Sequence, residues 1–289
     1  MNNLSVVLPA HNEAESLKTL LPEILSVCSG AEIIVVNDGS SDDTTEVVKA
    51  AGAALVNHPY SMGNGAAIKA GARAATRKTI LFMDADGQHD PKDIPNLLDK
   101  FEEGYDMVVG ARDPRTHASW FRRVANRFYN QLASLMTGFK VEDLTSGFRI
   151  VNAKKFRRFL YLLPNGFSYP TTSTMAFFRS GYVVGYVPIK AGTRSGKSNI
   201  RFLHDGFRFL LIIMKVGALF SPMRLFIPAS FTIFMFGLLY YGYTYIIFHR
   251  FTNMSALLFL SSLLIFLIGI VSEQVSSLHY RWHQEDETD

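Results

Sequence analysis

The sequence predicts an α/β protein with a doubly wound, mainly parallel sheet, followed by a membrane region. Short apolar runs alternate with helical patterns in the first part of the chain, which is typical of such sheets. Near the end, residues 225–271 carry Arg250 as their only formal charge, as expected of membrane-spanning helices. We therefore expect a soluble domain (1–199), an interfacial region (200–222) and a transmembrane hairpin with a short tail (223–289).

The composition permits a large buried core and restricts the chemistry. Of the 289 residues, 48% are hydrophobic and 19% are charged. The single cysteine, Cys28, excludes an intramolecular disulfide and a cysteine-based zinc site. No signal-peptide pattern precedes the first predicted strand, so the soluble domain is expected in the cytosol. The formal net charge of +4 is modest, and clustered basic residues suit phosphates, anionic lipid or nucleic acid.

Five apolar runs are the predicted strands of the sheet: residues 4–9, 32–37, 53–56, 79–83 and 106–110. The helical patterns between them include residues 17–25, 62–75 and 91–101. Sheets of this kind bind ligands beyond the carboxyl ends of their strands. Polar loops follow the first, second and fourth strands, at 10–13, 38–44 and 84–90. We expect these loops to meet at one edge of the sheet.

Two carboxylates stand at the end of the fourth predicted strand. Asp84 and Asp86 alternate with Ala85 directly after an apolar run. Carboxylate oxygens are preferred ligands of Mg²⁺ and Mn²⁺, and Mg²⁺ often shares them with substrate phosphates. The alternative is a polar turn that caps the next helix, since Asp90 followed by Pro91 has the pattern of an N-cap and a first helical residue. The loop alone does not decide between the two.

Two common nucleotide-binding motifs are absent or incomplete. No G-x-G-x-x-G follows the first strand, which disfavours a dinucleotide site. The run Gly192–Ser198 looks like a phosphate loop but is one residue short of the motif and lies late in the chain. A phosphate loop of that type is therefore not expected.

Five polar motifs follow one another in the chain: Val6–Glu13, Val36–Thr44, Gly63–Gly65, Asp84–Gln88 and Thr145–Arg149. In this order they resemble the family 2 glycosyltransferases, specifically the polyprenyl-phosphate branch that is similar to dolichyl-phosphate mannose synthase. The resemblance covers residues 4–200, and bacterial and archaeal members also carry a membrane tail. It implies a GT-A fold whose first two loops hold a nucleotide.

The resemblance also implies roles for individual residues. Asp38 would recognise the base. The remaining nucleotide-binding residues would be Pro9, His11, Asn12, Glu13, Gly63, Gly65, Asp84 and Ala85. The metal ligands would be Asp84, Asp86 and Gln88. A Mg²⁺ or Mn²⁺ ion there would stabilise the departing diphosphate, and Asp86 is accordingly counted among the catalytic residues.

A cluster of arginines follows the fifth predicted strand: Arg112, Arg115, Arg122, Arg123 and Arg127. Guanidinium groups bind phosphate oxygens in a bidentate manner. In the similar enzymes, basic residues of this region hold the acceptor phosphate, which implies that role for Arg112 and Arg123. The alternative is a solvated helix face, which Arg127 fits. Nucleic-acid binding lacks a recognised motif here, so no nucleic-acid partner is expected.

Asp143 lies in the last polar stretch of the soluble domain. A carboxylate here acts as general base in many family 2 enzymes, but a lipid phosphate is largely ionised near neutral pH and needs no such help. We predict that Asp143 orients the reactants or lies beside the metal, with a capping role as the alternative. Arg149 is predicted either to bind the acceptor phosphate at the active rim or to partner Asp143.

A basic loop lies close to the predicted membrane region. The run from Arg194 to Ser198 resembles a loop that closes over the donor phosphates in related enzymes. The usual arginine stands three residues before the glycine, whereas Arg194 stands two before Gly196. Lys197 is the alternative phosphate-binding cation.

The C-terminal third is predicted to be attached to the membrane. Residues 200–220 have an amphipathic, basic pattern that suits a helix at the lipid interface. The apolar runs 225–248 and 255–272 are long enough to span a bilayer, and the short turn between them makes a hairpin. Basic residues flank the hairpin more often than they occur in its turn, so both termini are expected in the cytosol. Packing between copies of the hairpin would give a homo-oligomer.

The predicted function is that of an inverting glycosyltransferase that moves one sugar from a nucleotide-sugar to polyprenyl phosphate at the cytosolic membrane face. UDP is slightly favoured over GDP as the nucleotide. One alternative is a catalytically silent, membrane-anchored sensor or assembly partner that binds nucleotide-sugars. Another is a polysaccharide synthase, although no Q-x-x-R-W motif is present.

Overall fold

A computed structural model describes residues 1–112, 120–166, 168–190, 210–211, 214–215, 217–219 and 221–285. Its soluble part is built around one seven-stranded sheet, in the order β3-β2-β1-β4-β6-β5-β7. The strands are β1 (Leu4–Ala10), β2 (Glu32–Asp38), β3 (Ala54–His58), β4 (Thr79–Phe82), β5 (Met107–Arg112), β6 (Arg149–Asn152) and β7 (Val184–Ile189). β6 runs antiparallel to β4 and β5, and the other pairs are parallel. The prediction of a mainly parallel α/β sheet is confirmed.

Helices cover both faces of this sheet. They are α1 (Ala14–Val27), α2 (Thr44–Ala50), α3 (Asn64–Ala74), α4 (Ile94–Glu102), α5 (Trp120–Thr137), α6 (Ala153–Arg157) and α7 (Tyr169–Arg179). Side chains alternate along β1, so that Val7 packs in one layer with Ile68 of α3, while Val6 packs in the other with Leu17 of α1. The sheet is therefore doubly wound. The polar loops that follow β1, β2 and β4 lie at one edge of it, which is called the rim below.

Two strands, β6 and β7, and two helices, α6 and α7, were not predicted. β6 has four residues and begins at a charged residue, Arg149, so it lacks the length and the apolar start of a typical strand. β7 lies at the edge of the sheet beside β5, with a half-buried pattern. α7 is buried on nearly every side, so it has no polar face to give a helical period.

Two long apolar helices, α8 (Pro222–Phe248) and α9 (Asn253–Glu285), form the C-terminal hairpin. In the described part of the chain, Pro222–Phe248 and Asn253–Ser276 are long and apolar enough to cross a membrane. The two helices are joined by reciprocal hydrogen bonds, in which the hydroxyls of Ser230 and Ser262 each donate to the other's carbonyl at 3.0 Å. The predicted interfacial region, 200–222, falls largely outside the described residues.

The hairpin contacts the soluble domain at the root of α8. The Arg224 guanidinium donates to the carbonyl of Leu135 at 2.9 Å, at the C-terminal end of α5, where the helix dipole favours a cation. Glu273 of α9 accepts a hydrogen bond from the Met223 amide at 3.3 Å. Glu273 therefore acts as a partner of the N-terminal end of α8.

Candidate active site

The loops after β1 and β2 are locked together by hydrogen bonds. The Asn12 amide donates to Ser40 Oγ at 2.9 Å, and Asn12 Oδ1 accepts from the Ser41 amide at 2.8 Å. The Glu13 amide donates to Thr44 Oγ1 at 3.2 Å. Asn12 adopts a left-handed φ of 56°, a conformation that Asn tolerates better than most residues. The structure thus brings the two predicted nucleotide loops side by side.

Asp38, at the end of β2, holds a third loop in place. Its carboxylate accepts from His58 Nδ1 at 2.7 Å, Ser61 Oγ at 2.9 Å, and the amides of Met62 and Gly63 at 2.8 Å each. Burial works to raise the pKa of Asp38, but these donors outweigh it and the pKa is lowered. A carboxylate offers about four acceptor positions, and the protein already fills four. Recognition of the base by Asp38 stays a prediction.

The other residues assigned to the nucleotide have mixed surroundings. Pro9 is half-buried and His11 is exposed, with its Nδ1 2.8 Å from the Asp38 carbonyl. Gly63 has a φ of 100°, and a Cβ there would lie 2.7 Å from the carbonyl of Asn165. Gly65 is equally crowded by the loop at 164–166. Both glycines therefore admit a neighbouring protein loop, and their contact with nucleotide stays a prediction.

Asp84 and Asp86 lie just beyond the end of β4, at the centre of the rim. Both are half-buried, and Ala85 between them is buried. The chain turns at Gly87, which has a φ of 73°, and the Gln88 amide donates to Asp86 Oδ1 at 3.2 Å. Asp90 Oδ1 accepts from the Lys92 amide at 2.9 Å. The capping interpretation is therefore confirmed for Asp90, whereas the metal role of Asp84, Asp86 and Gln88 stays a prediction.

The donor set of this loop fits Mg²⁺ or Mn²⁺. Asp84, Asp86 and Gln88 offer carboxylate and amide oxygens, the ligands that these cations prefer. Within the described residues, no group of three or more His, Cys, Asp or Glu side chains could hold a metal. The protein would thus supply few ligands, which suits a cation that shares its shell with water and substrate phosphates.

His89 is buried beside Asp84 and was not among the predicted site residues. Its ring stacks on Phe148 with centroids 5.0 Å apart and an interplanar angle of 17°. His89 Nε2 lies 3.9 Å from Asp84 Oδ2. Burial lowers the pKa of His89 to about 4, so the ring is neutral at neutral pH. The sequence carries no pattern that pairs His89 with Phe148, because the two residues are far apart in the chain.

Arg112 and Asp143 form an ion pair in which Asp143 is buried and Arg112 is half-buried. Arg112 Nε and Nη2 donate to the two Asp143 oxygens at 2.8 and 3.0 Å. Asp143 also accepts from the amides of Thr145 and Ser146 at 3.0 and 3.1 Å. Burial alone would raise the pKa of Asp143, but Arg112 and the other donors lower it. A carboxylate with a lowered pKa is a poor general base, and the orienting role of Asp143 stays a prediction.

Arg149 does not partner Asp143 and does not reach the rim. Its side chain is fully buried, at 0% exposure. Its guanidinium donates to the Pro170 carbonyl at 3.0 Å, Ser173 Oγ at 2.8 Å and Thr174 Oγ1 at 3.0 Å. The prediction that Arg149 binds the acceptor phosphate is wrong in this geometry, because a buried guanidinium cannot meet an incoming ligand.

The remaining predicted cations are placed only in part. Arg123 is exposed on α5, one turn before the equally exposed Arg127. Its contact with an acceptor phosphate stays a prediction. Arg194 and Lys197 lie outside the described residues.

Two family models match the chain. The model described as glycosyl transferase family 2 matches residues 5–160. The model described as the GtrB C-terminal hairpin matches residues 221–278. The first spans β1 to β6 with the loops of the rim but not β7, and the second spans α8 and most of α9.

Curated relatives include undecaprenyl-phosphate 4-deoxy-4-formamido-L-arabinose transferases. The protein from Proteus mirabilis is 37% identical over 153 residues, which cover 50% of this chain and 47% of that protein. The protein from Serratia proteamaculans is 34% identical over 193 residues, which cover 60% of this chain and 58% of that protein. The matches thus span about half the length of these relatives.

Solved structures with the same fold include glucosyl-3-phosphoglycerate synthase from Mycobacterium tuberculosis. Its complex with Mn²⁺, UDP and glucosyl-3-phosphoglycerate aligns with a TM-score of 0.61 and 20% identity, over 75% of this chain and 80% of that one. Its complex with Mn²⁺, UDP-glucose and phosphoglyceric acid gives a TM-score of 0.62 and 19% identity, over the same shares. This likeness establishes the GT-A fold.

Proposed function

The chain belongs to glycosyl transferase family 2, and we propose that it transfers a single sugar from a nucleotide-sugar to polyprenyl phosphate, with inversion at the sugar carbon. A phosphate oxygen of the lipid would form the new bond to the anomeric carbon as the bond to the nucleoside diphosphate breaks. The products are a polyprenyl-phosphate-linked monosaccharide and the free nucleoside diphosphate. UDP is the nucleotide we favour.

One observation carries this proposal above the others. The half-buried Asp84 and Asp86 stand at the strand end between the nucleotide loops and the Arg112–Asp143 pair, in a chain that also has a family-matched hairpin. The relatives' names support the acceptor class, because they describe transfer to undecaprenyl phosphate. They also suggest a modified pentose, such as 4-deoxy-4-formamido-L-arabinose, as one sugar to test.

The role that we propose for each residue follows from its charge. A cation held by Asp84, Asp86 and Gln88 would offset the negative charge of the departing diphosphate. Arg112 would place positive charge toward the acceptor phosphate, and Asp143 would fix its orientation. No proton need be removed from the acceptor, because a phosphate monoester is largely ionised near pH 7. Positioning and electrostatics are then the protein's main contributions.

The hairpin would place this chemistry at a membrane surface. We propose that α8 and α9 span the bilayer and that both termini lie in the cytosol, since basic residues flank the hairpin more often than they occur in its turn. The Arg224 contact with α5 would then hold the soluble domain close to the lipid interface. A lipid acceptor could meet the rim there without leaving the membrane.

The test is a transfer assay with the purified full-length protein. Undecaprenyl phosphate and Mn²⁺ are incubated with radiolabelled UDP- and GDP-sugars, including a 4-deoxy-4-formamido-L-arabinose donor, and lipid extracts are separated by chromatography. We expect one lipid-linked monosaccharide with one donor. Absence of lipid-linked label with every donor would contradict the proposal.

The same assay separates the alternatives. A polysaccharide synthase would give products of increasing length, which the absent Q-x-x-R-W motif argues against. A silent sensor would bind the donor tightly, seen as a raised melting temperature, and yet release no nucleoside diphosphate. Wild-type turnover that stops in Asp86→Ala would exclude the sensor.

A further inference from the structure

The buried Arg149 guanidinium makes no hydrogen bond or ion pair with a carboxylate among its described contacts. Burial lowers the pKa of Arg149, and the charges of Asp143 and Asp84 act against that shift without a described hydrogen bond to the guanidinium. It bonds to carbonyls and hydroxyls, and its charged carbon lies 5.5 Å from the centre of the Tyr169 ring. A buried cation without a directly bonded carboxylate is costly, and a hydrophobic side chain of similar volume often fits such a site better. The position of this cation therefore calls for an explanation beyond stability.

Arg149 and Tyr169 hold two successive carbonyls beneath the rim. Arg149 Nη2 donates to the carbonyl of Ser146, and the buried Tyr169 hydroxyl donates to the carbonyl of Gly147 at 2.8 Å. From the other side, the Ser146 amide donates to Asp143. The backbone at 146–147 is thus fixed from both directions.

This fixed backbone forms a wall against Asp84. A Cβ built at Gly147 would lie 2.5 Å from Asp84 Oδ2 and 3.0 Å from its Cγ. Gly147 does not have a positive φ, so the glycine is needed for space and not for conformation. The next residue, Phe148, carries the stacked His89, whose Nε2 lies 3.9 Å from the same carboxylate oxygen. Any shift of this segment would move both neighbours of Asp84.

We propose that Arg149 and Tyr169 are positioning residues for Asp84: by holding the Ser146 and Gly147 carbonyls, they fix the wall that sets where the Asp84 carboxylate meets the metal and the donor diphosphate. This inference rests on the proposed function of the rim. It explains why a guanidinium and a phenol, each able to donate from within the core, are directed at consecutive carbonyls.

The test is Mn²⁺ binding to purified full-length variants in the presence of UDP, measured from the free Mn²⁺ signal in electron paramagnetic resonance. Tyr169→Phe removes only the hydroxyl that holds Gly147. Partners that orient metal ligands typically change metal affinity by about 10–100-fold, so we expect Tyr169→Phe to weaken Mn²⁺ binding about tenfold. Gly147→Ala, which directs a methyl group at Asp84, should weaken it more.

A matched control separates positioning from general damage to α7. Thr172→Val also removes a buried hydroxyl from this helix, one that bonds within the helix to the Ser168 carbonyl at 3.3 Å. We expect Thr172→Val to bind Mn²⁺ as the wild type does, with both variants folded by circular dichroism. Equal Mn²⁺ binding by Tyr169→Phe and wild type would overturn the inference. Absence of Mn²⁺ binding by the wild type itself would instead contradict the proposed metal site.

Discussion

Two buried carboxylates flank the centre of the rim, and they are stabilised in different ways. The Asp38 cluster (Asp38, His58, Ser61, Met62 and Gly63) surrounds its carboxylate with donors that include two backbone amides and a hydroxyl. The Asp143 cluster (Arg112, Asp143, Thr145 and Ser146) adds a bidentate guanidinium. Loss of one partner therefore has different consequences in the two clusters.

The comparison shows how the fold divides roles among its carboxylates. Asp38 and Asp143 are each less than 10% exposed, and both accept several internal hydrogen bonds. Asp84, whose side chain is 34% exposed, stands between them at the end of β4. We infer that Asp38 and Asp143 hold their loops in place, while Asp84 and Asp86, the central pair, bind the metal and the donor.

The largest expected effect is on the Asp143 cluster. Asp143→Asn removes the charge that neutralises Arg112, whose side chain is only 22% exposed. Removal of one member of a buried ion pair typically costs about 3–5 kcal/mol, so the free energy of unfolding should fall by that amount in urea titrations followed by circular dichroism. A second substitution, Arg112→Met, should restore part of the loss because it removes the unpaired cation. A stable Asp143→Asn protein would contradict the ion-pair account.

A smaller effect is expected in the Asp38 cluster. Asp38→Asn replaces one acceptor oxygen with an amide that cannot accept from the Gly63 or Met62 backbone. Unsatisfied buried donors cost about 1–3 kcal/mol, and no guanidinium is left unpaired. The unfolding free energy should fall less than in Asp143→Asn. Asp43→Asn is the matched control, since Asp43 is exposed and makes no side-chain capping bond. A loss as large as that of Asp143→Asn would remove the distinction between the clusters.

Acid should distinguish the wild type from the Asp143→Asn variant. The pKa of Asp143 is lowered in the folded protein, so its stabilisation is present above the ordinary Asp pKa of about 3.9 and is lost as the pH falls through the folded-state pKa. Between pH 5 and 3 the wild type should therefore lose stability more steeply than Asp143→Asn. The difference in slope is at most about 1.4 kcal/mol per pH unit. Parallel slopes would show that Asp143 titrates normally.

The smallest expected effect is at the exposed end of the acceptor region. Arg123→Gln should leave stability within about 0.5 kcal/mol of the wild type, as for most surface substitutions. If Arg123 binds the acceptor phosphate, the KM for polyprenyl phosphate should rise about tenfold, since hydrogen bonds to charged groups contribute about 1.5–3 kcal/mol. Arg127→Gln, one turn along the same exposed face, should leave the KM unchanged. Equal effects of the two variants would indicate a general electrostatic contribution.

Much of the fold could be predicted because the first five strands are apolar runs punctuated by polar loops. The doubly wound sheet and the two long apolar helices of the hairpin follow from those patterns and are present in the structure. The mixed part of the sheet could not be predicted in this way. β6 is short and begins at a charged residue, and its antiparallel direction depends on tertiary pairing with β4 and β5.

The site was predicted as a set of residues, but not as a set of contacts. The polar spacing after β4 indicated the Asp84–Gln88 loop, because strand ends converge at one rim. Charge type alone could not show that Arg149 is buried under α7 or that His89 stacks on Phe148. Burial of a polar side chain depends on partners far away in the chain, such as Ser173 and Pro170 for Arg149.

The most direct measurement is sugar transfer by Asp86→Ala beside the wild type and Asp90→Ala, with undecaprenyl phosphate, Mn²⁺ and the donor identified in the panel. Asp86 belongs to the central pair, whereas Asp90 caps the turn before α4. We predict that Asp86→Ala forms no lipid-linked sugar while Asp90→Ala retains transfer. Wild-type rates of transfer by Asp86→Ala would contradict the assignment of the metal and donor phosphates to the end of β4.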